Sequence, residues 1–140
     1  MTTRRQAREA ALGVLFQVDL GKIDVTEALE TVRAQGWPRD EWALIERLVR
    51  GTRAHVEDID EVIGRVAEHW TLERMATVDR NVLRMAIFEF RHTDTPVGVV
   101  INEAVELAKQ YSTEESGRFV NGMLGKIVRL HPPLVHPAAP

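Results

Sequence analysis

Three arginines near the amino terminus, Arg4, Arg5 and Arg8, are the residues whose chemistry is easiest to interpret. They place +3 on the first eight residues of a chain whose formal net charge is −3. If a helix begins near Arg4, these cations lie at its positive end, where each of them slightly destabilises the helix. Only Glu9 is close enough in sequence to offset them, so replacing all three with alanine should not harm folding. The cluster suggests a polyanionic partner, although a solvated terminus with no function explains it equally well.

A second group of candidates lies in the segment STEESGRFVNG, residues 112–122. Phe119 could stack on an unpaired base, as aromatic side chains do in single-strand RNA recognition. A phenylalanine at this spacing is more often part of a core, and Asn121 could equally be a buried amide between helices. Glu115 and Arg118 belong to the same predicted surface. These residues therefore indicate a possible RNA contact but do not require one.

The third group is Asp79, Arg80 and Arg84, which we expect on the polar side of a helix spanning residues 78–91. Their spacing permits simple solvated i, i+4 charges with no further role. An exposed interface for another protein is the functional alternative.

Composition makes most enzyme classes improbable. The chain has no cysteine, which excludes disulfides, thiol nucleophiles and thiolate metal sites. Its five histidines have no H-E-x-x-H spacing, and neither a phosphate-binding glycine loop nor G-x-S-x-G occurs. We therefore expect no catalytic residue, metal or cofactor. No apolar run approaches the roughly 18 residues of a membrane span, and we expect a cytoplasmic protein.

Periodic apolar residues predict helices throughout and no strand. Seven helices are expected, the first over about 4–20, the second capped by Asp24, and the last beginning with an S-x-x-E capping box at Ser112. Gly51 should mark a break or a close contact, and residues 70–72 a corner. The sequence thus predicts an all-α bundle. Residues 131–140, HPPLVHPAAP, cannot continue a helix and are expected to form a disordered tail.

Three segments together resemble the NusB family of bacterial antitermination factors. They are RRQAREAALGVLFQVD at Arg4–Asp19, VDRNVLRMAIFEF at 78–90, and INEAVELAK followed by STEESGRFVNG. The resemblance implies one domain over residues 1–130, built from two packed helical subdomains of about 1–70 and 71–130. It also implies RNA contacts by the arginine-rich terminus and by Glu115, Arg118, Phe119 and Asn121.

The same resemblance implies a protein partner. In the family, the acidic residue of the 78–90 segment lies where the small-subunit ribosomal protein NusE docks, and Asp79 matches it, with Arg80 and Arg84 beside it. Phe16 lies near the same implied surface, although a core role for it is at least as reasonable. The implied function is binding boxA of nascent ribosomal RNA with NusE and acting on elongating RNA polymerase.

Two other functions stay open at this point. One is a helical scaffold that binds only proteins, possibly as a homodimer, and needs no RNA affinity. The other is a stand-alone relative of the N-terminal module of ribosomal RNA methyltransferases. That module accompanies a catalytic domain with a cofactor loop and a cysteine nucleophile, and this sequence contains neither.

Overall fold

The computed structural model describes residues 3–67 and 72–134. Over these residues it contains seven α-helices and no strand, which confirms the predicted fold class. The helices are α1 (Arg4–Asp19), α2 (Val25–Arg33), α3 (Arg39–Ala54), α4 (Val56–Val66), α5 (Thr77–His92), α6 (Val97–Tyr111) and α7 (Glu114–Leu130), and a 3₁₀ turn over Leu72–Arg74 precedes α5.

Side-chain caps explain where the first two helices begin. Thr3 caps α1 in a capping box with Gln6, in which each side chain accepts a hydrogen bond from the other residue's backbone N–H. Asp24 caps α2 as predicted, because its carboxylate accepts the Thr26 N–H at 3.1 Å. The three arginines of α1 therefore follow a well-capped helix start.

The cap of α7 is one residue later than predicted. Thr113, not Ser112, is the N-cap, and its hydroxyl accepts the Ser116 N–H at 3.0 Å. The Ser112 hydroxyl lies 2.8 Å from that of Ser116. A run of serine and threonine offers two caps in adjacent positions, and the predicted box with Glu115 does not form.

Helix α5 is the centre of the molecule. Residues 81–90 are all buried, and α5 packs against α1, α3, α4, α6 and α7. Because other helices surround it, α5 also buries polar side chains, namely Asp79, Asn81, Arg84 and Glu89. The largest fully buried side chains come from all seven helices and form one continuous core: Leu15, Leu29, Ile45, Leu48, Ile59, Ile63, Leu83, Ile87, Phe90, Leu107, Leu124 and Ile127.

Two predictions about the chain's irregular parts have different outcomes. Helix α3 continues through Gly51 to Ala54, so Gly51 marks a close contact with α5 and not a break. Of the proline-rich tail, residues 131–134 are described, and the Leu134 N–H donates to the Arg91 carbonyl at 2.9 Å. The remaining tail residues, 135–140, and positions 70 and 71 of the predicted corner lie outside the described residues.

Within the described ranges, no helix combines the length and apolarity needed to cross a membrane.

Candidate nucleic-acid interface

The basic end of α1 borders an open depression of about 440 Å³. Arg4 is exposed there, and the Arg5 side chain is 49% exposed. Arg5 nevertheless has an acidic partner on α6, because its Nε and Nη2 donate to the Glu103 carboxylate at 2.9 and 3.3 Å. This hydrogen bond and the charge of Glu103 raise the pKa of Arg5 above its ordinary value. Arg5 can thus release Glu103 and bind another anionic group in its place.

Arg8 is buried, which contradicts the prediction that it is available to bind RNA. Its Nε and Nη2 donate to the Glu89 carboxylate on α5 at 3.0 and 2.5 Å, and the two side chains are only 5% and 3% exposed. Burial alone would lower the pKa of Arg8, but the hydrogen bonds and charge of Glu89 outweigh it and raise the pKa. Arg8 stays charged and fastens α1 to α5. Removing it would leave a buried carboxylate unpaired, so alanine at this position is expected to destabilise the fold, contrary to the expectation from the sequence.

The arginine cluster is therefore less unusual than its sequence indicates. Acidic residues of α5 and α6 balance two of its three cations, and Arg4 alone has no ion pair among residues 3–67 and 72–134. Sequence reasoning missed Glu89, although a signal was present. Glu89 stands between Phe88 and Phe90 in an apolar run, and a carboxylate at such a position requires a buried cation or several donors.

A second recess, of about 350 Å³, opens where the N-terminal ends of α5 and α7 meet. Phe119 and Glu115 line it. Phe119 is half-buried, so it packs on the edge of the core and also contributes a surface. Arg118 and Asn121 are exposed on the same helix, which rules out the alternative of Asn121 as a buried amide.

Asp79 is buried in the floor of this recess and does not lie on an exposed polar helix face, which corrects the prediction from the sequence. Its Oδ2 accepts the Ser116 hydroxyl at 3.1 Å, and its Oδ1 has no hydrogen-bond partner within the described part of the chain. Burial raises the pKa of Asp79, and the Ser116 hydrogen bond opposes this only in part. Residues assigned separately to RNA and to NusE, namely Glu115, Phe119 and Asp79, thus line one recess.

Arg80 and Arg84 are also not the solvated charges that their spacing suggests. Arg80 donates to Asp19 of α1 at 2.9 and 2.7 Å, and Arg84 donates to Asp60 of α4 at 2.7 and 2.8 Å while lying 3.2 Å from Asp19. The Arg84 side chain is only 9% exposed. These pairs hold α1, α4 and α5 together, so Arg84 is not available to a partner without breaking them.

The carboxylate of Asp19 stabilises this network. Burial would raise its pKa, but hydrogen bonds from Arg80 and Asn81 and the charge of Arg84 lower the pKa below its ordinary value. Phe16, one turn earlier on α1, is half-buried. Phe16 is therefore neither a fully buried core residue nor a fully exposed interface residue.

The basic depression and the recess lie toward opposite ends of α5. Glu89, which holds Arg8, and Asp79 are ten residues apart, a separation of about 15 Å along a helix. The two surfaces are therefore separate, with most of the length of α5 between them.

Comparison with known proteins identifies the family of this chain. A family model described as the NusB family matches residues 5–129. The chain belongs to the NusB family. This confirms the resemblance recognised in the sequence, and the family consists of antitermination factors and not of enzymes.

Curated NusB relatives are similar over nearly their whole length. The transcription antitermination protein NusB of Desulforamulus reducens is 50% identical over 127 residues, which is 89% of each chain. That of Anaeromyxobacter dehalogenans is 49% identical over 136 residues, covering 95% of this chain and 96% of the relative.

Solved NusB structures have the same fold. NusB of T. maritima superposes with a TM-score of 0.87 at 40% identity, and 94% of each chain is covered. A structure of the antitermination factors NusB and NusE in complex with dsRNA gives a TM-score of 0.83 at 30% identity, covering 91% of this chain and 97% of the other. The seven-helix architecture is therefore that of the NusB family.

Proposed function

We propose that this NusB family protein binds the boxA element of nascent ribosomal RNA together with NusE, and that the complex acts in the cytoplasm on elongating RNA polymerase to suppress termination. The observation that carries the proposal is the exposure of Arg4 and Arg5 beside an open depression on a member of an antitermination family. A related NusB structure in complex with NusE and RNA supports it.

In this proposal the arginines have different tasks. Arg4 and Arg5 contact phosphates, whereas Arg8 positions α1 by its buried pair with Glu89. Arg5 must leave Glu103 to reach a phosphate, so part of its interaction energy replaces an existing ion pair. Binding by the isolated protein should therefore be weak, and its salt dependence should be that of about two phosphate contacts.

We assign the recognition of RNA bases to residues of α7. The half-buried ring of Phe119 offers a stacking face at the recess, and the exposed amide of Asn121 can donate and accept hydrogen bonds. Arg118 supplies a further cation, and Glu115 can accept from an exocyclic amine. An RNA strand that spans both surfaces would run along the direction of α5.

NusE would dock over the C-terminal part of α1 and the N-terminal part of α5. Phe16 provides an apolar contact there, and Arg80 retains 15% side-chain exposure. Arg84 and Asp79 lie beneath this surface, since both are buried in the fold. A second protein adds contacts and preorganises the site, so NusE should strengthen RNA binding.

The test is a titration of fluorescently labelled boxA RNA and of a scrambled RNA of equal length, each with and without NusE, at several salt concentrations. We expect weak binding by the protein alone, tighter binding with NusE, and a preference for boxA. Equal affinity for both RNAs, or no effect of NusE, would contradict the proposal. A scaffold that binds only proteins predicts NusE binding with no RNA affinity.

A further inference from the structure

A groove of about 540 Å³ lies between α3 and α5, outside the surfaces described above. Arg47 and Arg50 line one side, and His55 and His92 line its end. The groove is shallow and open, so a ligand would lie along its surface and would not be enclosed. None of these four residues has a part in the proposed boxA or NusE contacts.

Three nearly parallel rings form the end of the groove. The ring centroids of His55 and His92 are 4.0 Å apart with an interplanar angle of 15°, and Phe88 lies 5.5 Å from His92 at 20°. Both histidines are half-buried, while Phe88 is buried against the backbone of α3. A Cβ on Gly51 would overlap the Phe88 ring, so the stack depends on glycine at this position.

Both imidazoles offer flat surfaces at the end of the groove. Burial, the neighbouring His55 and the charge of Arg91 lower the pKa of His92, although Asp58 opposes them. A flat ring that lines an open groove is suited to stacking on a nucleic-acid base.

The charges around the groove favour an anionic strand. Arg47 has no ion pair among the described residues, and Arg50 has a loose pair with Glu46 at 3.5 Å, in which both side chains are about half exposed. The acidic side chains nearest to His55, Glu57 and Asp58, lie on the first turn of α4. The groove itself is thus lined by two guanidinium groups and by the partly engaged Glu46 carboxylate, and Glu57 and Asp58 lie beside its His55 end.

This groove lies at the same end of α5 as the basic depression. Phe88 and His92 face α3, and Glu89, one position after Phe88, holds Arg8 of α1. Residues 88–92 span about 6 Å along a helix. A strand that leaves Arg4 and Arg5 can thus continue around the end of α5 into the groove.

We infer that the α3–α5 groove is a second RNA site, in which Arg47 and Arg50 bind phosphates and the His55–His92 stack receives a base of the RNA that flanks boxA. The inference rests on the proposed function, because it treats the groove as the continuation of the strand bound at α1.

The experiment compares a short boxA RNA with RNAs extended by several nucleotides on either side, in the presence of NusE. Each extension carries 2-aminopurine, whose fluorescence is quenched when it stacks. The test variant is Arg47→Ala/Arg50→Ala. The matched control is Arg39→Ala/Arg129→Ala, which removes the same charge from two exposed arginines, one of them about 12 Å from Arg47 along α3. Thermal unfolding verifies that both variants are folded.

We expect one extension to increase the affinity of the wild-type protein and to show quenching. The Arg47→Ala/Arg50→Ala protein should lose most of this gain and the quenching, keep its affinity for the short RNA, and show a salt slope lower by about 1.4 on the extended RNA. The control should resemble the wild type. Normal binding of the short RNA with no gain from either extension, or an unchanged gain in the variant, overturns the inference alone. Failure of the short RNA to bind contradicts the proposed function as well.

Discussion

The guanidinium of Arg8 meets the carboxylate of Glu89 in a buried, two-bond ion pair, with Nε–Oε1 and Nη2–Oε2 distances of 3.0 and 2.5 Å. The pair joins the basic end of α1 to the central helix. Because the pair holds α1 in place, it also sets the position of Arg4 and Arg5. Of the three arginines, Arg8 is therefore structural, whereas Arg4 and Arg5 are accessible.

Replacing Arg8 should therefore destabilise the fold, whereas replacing Arg4 should not. Arg8→Ala leaves the Glu89 carboxylate buried and unpaired, a change that typically costs about 3–5 kcal/mol. Arg4→Ala removes an exposed cation from the positive end of a helix and should leave stability nearly unchanged. Urea unfolding of the two variants measures this difference.

A double variant, Arg8→Met/Glu89→Leu, is the control for the buried charge. It should recover much of the stability that Arg8→Ala removes, because an apolar pair of similar volume leaves no charge unpaired. If Arg8→Ala and Arg4→Ala unfold at the same urea concentration, the pair does not anchor α1 to α5.

Asp79→Asn should stabilise the protein at neutral pH. The folded state raises the pKa of Asp79, so this group favours folding below its unfolded pKa, and that contribution is lost as the pH rises through the folded value. The stability of Asp79→Asn relative to wild type should thus increase from about pH 4 upward. Chemical denaturation across the pH range provides the test, and a difference that does not vary with pH would show that the carboxylate is not destabilised by burial.

Asp19→Ala should destabilise the protein in the opposite pH direction. The folded state lowers the pKa of Asp19, so its contribution is present above the unfolded pKa and is lost as the pH falls through the folded value. At pH 7 the loss should be about 2–3 kcal/mol, because Arg80 loses a charged acceptor and Arg84 keeps only Asp60. The stabilities of wild type and variant should converge at low pH. A stability difference that stays constant with pH would contradict the lowered pKa of Asp19.

Most of the fold could be predicted from the sequence. Apolar periodicity indicates all seven helices, and Asp24 correctly marks the start of α2. The predicted α7 cap is wrong by one residue because Ser112 and Thr113 are both good N-caps, and only the backbone geometry selects between them.

The candidate site was less predictable because it depends on contacts between distant residues. Arg8 lies 81 positions from Glu89, and Arg84 lies 24 positions from Asp60. Local rules compare charges within one helix, so they describe these side chains as solvated or mutually repulsive. The exposed position predicted for Asp79 is wrong for the same reason, since α7 covers the side of α5 that a single-helix projection leaves exposed.

The accessible pair Arg4 and Arg5 tests the central claim most directly. An Arg4→Ala/Arg5→Ala protein should melt close to the wild-type temperature, because Arg8 and Glu89 remain in place and the lost Arg5–Glu103 pair involves a half-exposed arginine. In a boxA RNA titration with NusE over a salt series, removing two phosphate-binding arginines should lower the slope of log affinity against log salt by about 1.4, or about 0.7 for each arginine. A variant that keeps the full wild-type slope and affinity would contradict the proposal that this end of α1 binds RNA.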